Sequence, residues 1–429
     1  MRRVFSRDRI RSLQFSIYSS FIVFSIRKLP DESFGISAWL AYLMTQIYFD
    51  HNATTKVDDA VLDRMLPYFR EHYGNASSSH SLGLAAHRAI DRAREQVAQA
   101  VGVQPAQVIF TSGGSEANNL FIRGVSDSLK PSALAVSTIE HPCIMRPARG
   151  LTRRNGEKWQ LHYLAVDAAG RVKVNDAADV LAAARPAMVS MMLANNETGV
   201  IQEVASVAEV ARAQGAWMHT DAVQAFGKIP VNFTELGVHA LTLSAHKVYG
   251  PKGAAALIID PRLPVRPIID GGGHENGLRS GTENVPAIVG FGAACELAMS
   301  RMAELSVKTA MLRDRLEHGL LAMGATVFGL DAPRLPNTCY FALPDIEGDT
   351  LVVRLDKKGF AVASGAACSS ATPGKSHVLE AMNVSPVLAR CAVRVSLGVD
   401  NTMAEVDSFL AAVKHITDEL KNMSALFNV

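Results

Sequence analysis

Ala240-Leu-Thr-Leu-Ser-Ala-His-Lys-Val-Tyr-Gly-Pro-Lys-Gly253 opens as an alternating, β-capable run and closes in Gly-Pro-Lys-Gly, a turn by composition. Ser244, His246 and Lys247 therefore fall where a strand gives way to a loop. A lysine fixed there between a hydroxyl and an imidazole is placed to form a Schiff base with a carbonyl compound. The plainer alternative is a solvated loop lysine, and the rest of the chain has to decide between the two.

Four further segments share the pattern of an apolar strand that ends in a polar cluster. Gln107-Val-Ile-Phe-Thr111 runs into Ser112-Gly-Gly-Ser-Glu-Ala-Asn-Asn119, and Ala133-Leu-Ala-Val-Ser137 leads to Glu140-His141-Pro142. Residues 188–193 lead to Ala194-Asn-Asn-Glu-Thr-Gly199, and Ala216-Trp-Met-His-Thr220 leads to Asp221-Ala-Val-Gln224. His141 alone reads as a structural histidine and Asp221 alone as a helix cap. Repetition at several strand ends predicts an α/β protein whose mostly parallel sheet binds a ligand at its carboxyl edge. The glycine turn at 113–114 precedes a helix, so free N–H groups and the helix dipole favour an anion such as phosphate, with the Ser115 hydroxyl beside it. An ordinary capping turn has the same composition.

The chain has 429 residues, 48% of them hydrophobic, enough for a large core and more than one domain. Residues 1–28 carry seven Arg/Lys against one Asp, a net +6, so the formal net charge of +2 leaves −4 for the remainder. A mildly acidic body carries no bulk basic signature for nucleic acid. Residues 1–43 are Arg-rich, then uncharged and rich in Ser, Phe and Ile over a run too short to span a bilayer. They read as a transit peptide, an export signal or, best, an over-long start before Met44, and we expect a cytoplasmic protein without a membrane partner. Helical spacing over 60–68, 84–101 and 286–323, with strand-like runs near 335–343, 361–364 and 392–397, predicts a large α/β domain over 47–302. A smaller α+β domain over 303–429 follows, and Thr402 with Glu405 predicts a capping box that opens its last helix. Residues 264–282 are too glycine-rich for regular structure and polar at the tip, the composition of a functional loop.

Five cysteines, at 143, 295, 339, 368 and 391, form no C-x-x-C pair and no metal-binding spacing, so we expect reduced thiols and no metal site. Cys295 and Cys391 sit in apolar runs, as buried structural cysteines do. Cys368 instead stands in Ala363-Ser-Gly-Ala-Ala-Cys-Ser-Ser-Ala-Thr-Pro-Gly374, among small residues of loop composition. An incidental surface thiol is the alternative to a reactive one there.

Together these segments resemble the cysteine desulfurases, pyridoxal 5'-phosphate enzymes of the class V aminotransferase family, in their IscS/NifS-like branch. The resemblance covers nearly everything from residue 47 onward. Besides the stretches above it rests on Asp50-His-Asn-Ala-Thr-Thr55, Arg279-Ser-Gly-Thr-Glu-Asn284 and Arg394-Val-Ser-Leu-Gly398. It implies the fold type I architecture of pyridoxal-phosphate enzymes, a large domain with a mostly parallel seven-stranded sheet and a smaller α+β domain. It further implies that Lys247 is the Schiff-base lysine, Asp221 the partner of the pyridinium nitrogen and His141 the ring-stacking acid/base. Asn196 and Gln224 would bond near the phenolic oxygen, and Gly114, Ser115, Ser244 and His246 would hold the phosphate. Thr282 would be donated by a partner subunit, making a homodimer with shared active sites. Asn196 and Arg394 would bind the substrate, Arg394 as the clamp on its carboxylate.

The implied reaction converts L-cysteine to L-alanine and leaves sulfur as a persulfide on Cys368. The sulfur then passes to an iron–sulfur scaffold or another acceptor protein, and Cys368 could transiently ligate a cluster. A selenocysteine lyase and another class V enzyme are the alternatives. Ser115 stands where many relatives have Thr, and Ala-Ala-Cys-Ser-Ser replaces their Ser-Ala-Cys-Thr-Ser, changes that keep the hydroxyl and the small-residue character.

Overall fold

The computed structural model describes residues 46–153, 159–364 and 376–427, so the expectations for the leader and for Cys368 fall outside the described residues. The chain divides into two units, Met1–Gln46 and Ile47–Val429, and everything below belongs to the second.

Strand alternation decides the architecture. In β1 (Ile47–Tyr48) it is too short to matter, but in β2 (Val108–Thr111) Val108 and Phe110 enter one apolar core and Ile109 another. The same division recurs in β3 (Ala133–Ser137), where Ala135 joins the first core and Leu134 and Val136 the second. Strands buried on both faces have to lie between two layers. β4 (Gln160–Leu164), β5 (Met188–Ser190), β6 (Trp217–Asp221), β7 (Ala240–Ser244) and β8 (Ala255–Ile259) complete that middle layer. Its order is β2-β8-β7-β6-β5-β3-β4, with β8 antiparallel to both neighbours and the other pairings parallel. This is the mostly parallel seven-stranded sheet that the resemblance implies. Helices Ser81–Val101 and Val285–Ala322 cover one face through Ala93, Val97 and Phe291. Helix Pro142–Leu151 and the turns at 114–125 cover the other through Phe121, Ile144 and Ala148.

A second, antiparallel sheet follows. It comprises β9 (Thr326–Val327), β10 (Thr338–Ala342), β12 (Ala363–Ser364) and β13 (Ala392–Ser396), in the order β12-β13-β10-β9. β11 (Phe360–Ala361) pairs in parallel with β1, so the start of this unit is stitched to its last third. Phe49 fixes that seam, stacking on Phe360 and meeting Phe409 edge-on at centroid distances of 6.2 and 5.5 Å. Asp50, His51 and Asn52 are thereby delivered between the two sheets.

Helix Val285–Ala322 joins both cores and passes residue 302 without a break. Pro286 in its first turn and the Asn284 side chain, accepting from the Ala287 N–H, start it. By length and composition it would pass as a membrane span. Part of its apolar surface is instead occupied by packing, Phe291 and Ala294 in the first core and Leu312, Leu316 and Leu320 in the second, while Val307 and Met311 stay exposed. The last helix, Met403–Phe427, opens on the expected capping box, with Thr402 N–H bonded to Glu405 and Glu405 N–H to the Thr402 hydroxyl. Val406, Phe409, Leu410, Val413 and Ile416 are buried along it.

Candidate active site

The carboxyl ends of β2, β3, β5, β6 and β7 open into one cavity of about 580 Å3, within the range of small-molecule sites. Gly114, Ser115, His141, Asn196, Asp221, Gln224, Ser244, His246 and Lys247 all line it. The expected residues thus converge from segments more than 130 positions apart. Thr282 does not join them: it is exposed on its own chain, in the 264–282 loop, where the only regular turn is Glu275–Gly277 among the described residues. Cys368 lies outside the described residues. The next described residues are tied to strand ends, Ser376 donating to Glu197 at 2.5 Å and His377 Nε2 meeting the Glu140 carbonyl at 2.9 Å.

Lys247 sits in the short turn Ala245–Lys247 that ends β7. Its Nζ donates to the main-chain carbonyls of Asn52 (2.5 Å) and Ala53 (2.7 Å). Asp221, the last residue of β6 and only 6% exposed, is held rigidly. Its Oδ2 accepts from Asn118 Nδ2 at 2.7 Å and its Oδ1 from the Val223 N–H at 3.0 Å. A carboxylate fixed in this way keeps a partner base protonated.

His141 caps helix Pro142–Leu151: its Nδ1 accepts from the Cys143 N–H at 3.2 Å. A main-chain N–H can only donate, so the proton of the neutral ring sits on Nε2. The Cys143 thiol closes on the same Nδ1 at 2.8 Å and receives Asn118 Nδ2 at 3.0 Å. Burial, followed by the Asp221 charge, pushes that thiol up to about 12, so it stays protonated. Burial holds the His141 imidazole below its ordinary range, Asp221 opposing and Lys247 adding to the effect.

At the phosphate end, the turn at 113–114 approaches β7 so closely that a Cβ on Gly114 would meet Val223 at 3.3 Å and Ser244 at 3.6 Å. The Ser244 hydroxyl is buried in this wall with no partner among the described residues, an arrangement that a bound acceptor would relieve. His246 is held down to about 4, first by burial and then by Lys247 and Lys252. Its Nδ1 contacts the Thr54 hydroxyl at 3.1 Å. A glycine turn at a helix start, an orphaned hydroxyl, a neutral imidazole and Lys252 suit a phosphate dianion. Facing them, Asp221 suits a ring nitrogen and Lys247 an aldehyde carbon, so the residues present fit pyridoxal phosphate.

Arg394 reaches the site from β13. Its side chain is 3% exposed and donates to the Asn196 carbonyl at 2.9 Å and to Asp50 Oδ1 at 2.7 Å. Three participants had no role assigned from sequence. Asn52 stood inside a quoted segment, Asn118 behind the glycine turn, and Cys143 read as one of five scattered thiols. Only Asn118 carried a signal, its four-residue spacing from Gly114 along a helix.

A pocket with these groups at the carboxyl edge of a seven-stranded sheet defines a fold type I pyridoxal-phosphate enzyme. The chain matches the aminotransferase class V family over residues 47–409, and it belongs to that family. A cysteine desulfurase of Gluconacetobacter diazotrophicus is 41% identical over 389 residues, covering 90% of this chain and 96% of that protein. A cysteine desulfurase IscS of Dictyoglomus turgidum is 38% identical, covering 88% of this chain and 96% of that protein. Among solved structures, a NifS-like protein superposes with a TM-score of 0.81 at 38% identity, over 87% of this chain and 99% of that one. A structure described as SspA in complex with cysteine gives 0.72 at 30% identity, over 82% and 98%.

Proposed function

We infer that the chain is a pyridoxal-phosphate-dependent cysteine desulfurase, taking L-cysteine to L-alanine and handing on its sulfur. The convergence of Lys247, Asp221 and His141 on one cavity with a phosphate cradle at its end carries this reading. When bound, pyridoxal phosphate supplies an electron sink for the pair left behind when the substrate loses its Cα proton.

The protein's own groups do the rest. Gly114, Ser115, Ser244 and His246 would hold the phosphate, Asn196 and Gln224 the phenolic oxygen, and Asp221 the ring nitrogen. Lys247 would bind the aldehyde carbon and, once released, take the Cα proton. His141, neutral and protonated on Nε2, would stack on the ring and exchange a proton with the substrate thiol. Arg394 would clamp the substrate carboxylate, its fork already oriented by the Asn196 carbonyl. Cys368 attacks as thiolate: its sulfur bonds to the substrate sulfur and the substrate C–S bond breaks. The bonding pair stays with carbon, which takes up a proton to become the methyl group of alanine. An acceptor thiol, on an iron–sulfur scaffold or another sulfur-acceptor protein, then receives the terminal sulfur. Thr282, exposed on its own chain, is suited to complete the phosphate site of a second copy in a homodimer.

Lys247→Ala tests the reading at its centre. That variant is expected to lose the visible absorption of the bound cofactor, and an unchanged spectrum would sink the assignment. Cys368→Ala should keep the cofactor yet yield no protein-bound persulfide, and normal sulfide release by it would remove Cys368 from the reaction.

A further inference from the structure

Behind Lys247 lies a second, smaller cavity of about 40 Å3, bordered by His51, Lys228 and Asn337. Among the described residues Lys247 is the only one to border both this space and the cofactor pocket. Lys228 is 9% exposed and has no carboxylate partner among the described residues. Gly227 places it there. With φ of 74° and a Cβ position 2.7 Å from Val248, that residue has to be glycine for the chain to turn inward.

The atoms around Lys228 form a directed network. Its Nζ lies 2.9 Å from Gln224 Oε1 and 3.1 Å from Asn52 Oδ1. Both contacts are to oxygens, so they settle which way each side-chain amide points. Gln224 Nε2 is then left to donate to the Asn52 carbonyl at 2.9 Å, and Asn52 Nδ2 to the Thr338 hydroxyl, also at 2.9 Å. The Asn52 carbonyl is the same atom on which Lys247 Nζ rests. Two lysines thus meet at one asparagine from opposite sides.

We propose that Lys228 is a positioning residue for the reaction: a buried amine that fixes the amides of Gln224 and Asn52 and, through the Asn52 carbonyl, the resting place of Lys247. Its two oxygen acceptors match the two N–H groups of an uncharged amine. Burial, then the cations Lys247 and Arg394 on the neighbouring elements, holds Lys228 well below the usual lysine range. Across the small cavity His51 is held down to about 4, by burial and then by Lys228. Asp58 also borders the small cavity, yet among the described residues no carboxylate offsets the shift of Lys228.

This deepens, and rests on, the assignment of the larger cavity to pyridoxal phosphate. The test is equilibrium binding of pyridoxal phosphate to the apo forms of the wild type, Lys228→Met and Lys228→Gln, with a pH titration of the visible band of each loaded protein. Methionine keeps the length without a donor; glutamine keeps two N–H donors on a stem one atom shorter. We expect Lys228→Met to bind the cofactor roughly tenfold more weakly, about the effect of one net hydrogen bond. Its band midpoint should move upward by about half a pH unit, because a phenolate with a less firmly aimed donor holds a proton more tightly. Lys228→Gln should fall between the two, and decides alone if Lys228→Met is insoluble. Wild-type affinity and midpoint in the variants, with only a lower melting temperature, would make Lys228 a structural filler and overturn the proposal. A wild type that takes up no cofactor would instead overturn the assignment of the larger cavity.

Discussion

In the seven-stranded sheet the strands β2, β3, β5, β6 and β7 run in one direction, so their carboxyl ends share an edge. His141, Asn196, Asp221 and Lys247 meet there, each at the end of its strand or three to six residues beyond it. In the four-stranded sheet neighbouring strands run oppositely, no edge collects carboxyl ends, and the functional side chain leaves from the middle of a strand. Arg394 pairs in register with Tyr340 on one side and Ala363 on the other while its fork reaches Asn196 and Asp50. The parallel sheet therefore separates scaffold from chemistry, whereas the antiparallel sheet asks one residue to serve both. Substitutions at the parallel edge should change rate with little change in stability, and substitutions in the antiparallel sheet should change both.

The sharpest version of that contrast sets His141 against Phe409. His141→Ala removes the proposed acid/base from the parallel edge, and kcat should fall by roughly 10^2–10^4-fold with the cofactor band retained. A melting temperature that drops as steeply as the rate would break the separation. Phe409→Ala empties the aromatic cluster that holds β1 to the second sheet and should cost about 3–5 kcal/mol of stability, as buried Phe truncations do. Because Phe49 immediately precedes Asp50, His51 and Asn52, cofactor affinity should fall along with stability in urea titrations. Unchanged cofactor binding in the folded variant would show that the seam is not what positions Asn52.

Arg394→Lys probes the dual role directly. Lysine keeps the charge but cannot engage Asn196 and Asp50 as a fork. We expect kcat/KM to fall by roughly 30-fold, about 2 kcal/mol, at the low end for disturbing a buried charge pair. Most of the change should appear in KM, with a measurable loss of stability. A loss confined to kcat would argue that Arg394 does not hold the carboxylate.

The same difference explains how much could be read from the chain. Parallel strands leave a repeated trace, an apolar run and then polar residues, and that trace alone placed His141, Asn196, Asp221 and Lys247 at one edge. Arg394 sits inside Ala392-Val-Arg-Val-Ser-Leu397, where a charge between valines reads as the solvent face of a strand; only the family pattern pointed to it. Asn52, Asn118 and Lys228 left less still, because their roles depend on partners 172, 103 and 176 residues away in sequence. Cys143 is a local case: it stands two residues after His141, and only the helix start brings its N–H and thiol onto the imidazole. No spacing rule covers that geometry.

Glu140 supplies the finest test of the parallel edge. It stands beside His141 yet turns away into the protein, where its Oε1 accepts from the Ser137 hydroxyl at 2.5 Å and the Met192 N–H at 2.7 Å. Burial, only partly offset by those two bonds and reinforced by Asp221, raises its pKa to about 8. A carboxyl whose folded pKa lies above its unfolded value keeps its proton in the native state while the unfolded chain gives it up. Its contribution is fully present below the unfolded pKa of about 4.3 and is lost as pH rises through about 8. Within that window the wild type should lose up to about 1.4 kcal/mol per pH unit relative to Glu140→Gln, whose amide has no proton to release. Urea unfolding of both proteins at pH 6, 7 and 8 measures the difference directly. If it widens in the variant's favour, Glu140 is a neutral part of the scaffold, and the chemistry at this strand end belongs to His141 alone. Parallel stability curves would mean that Glu140 is ionised in the native state, placing a second charge behind His141 and ending the division of scaffold from chemistry at β3.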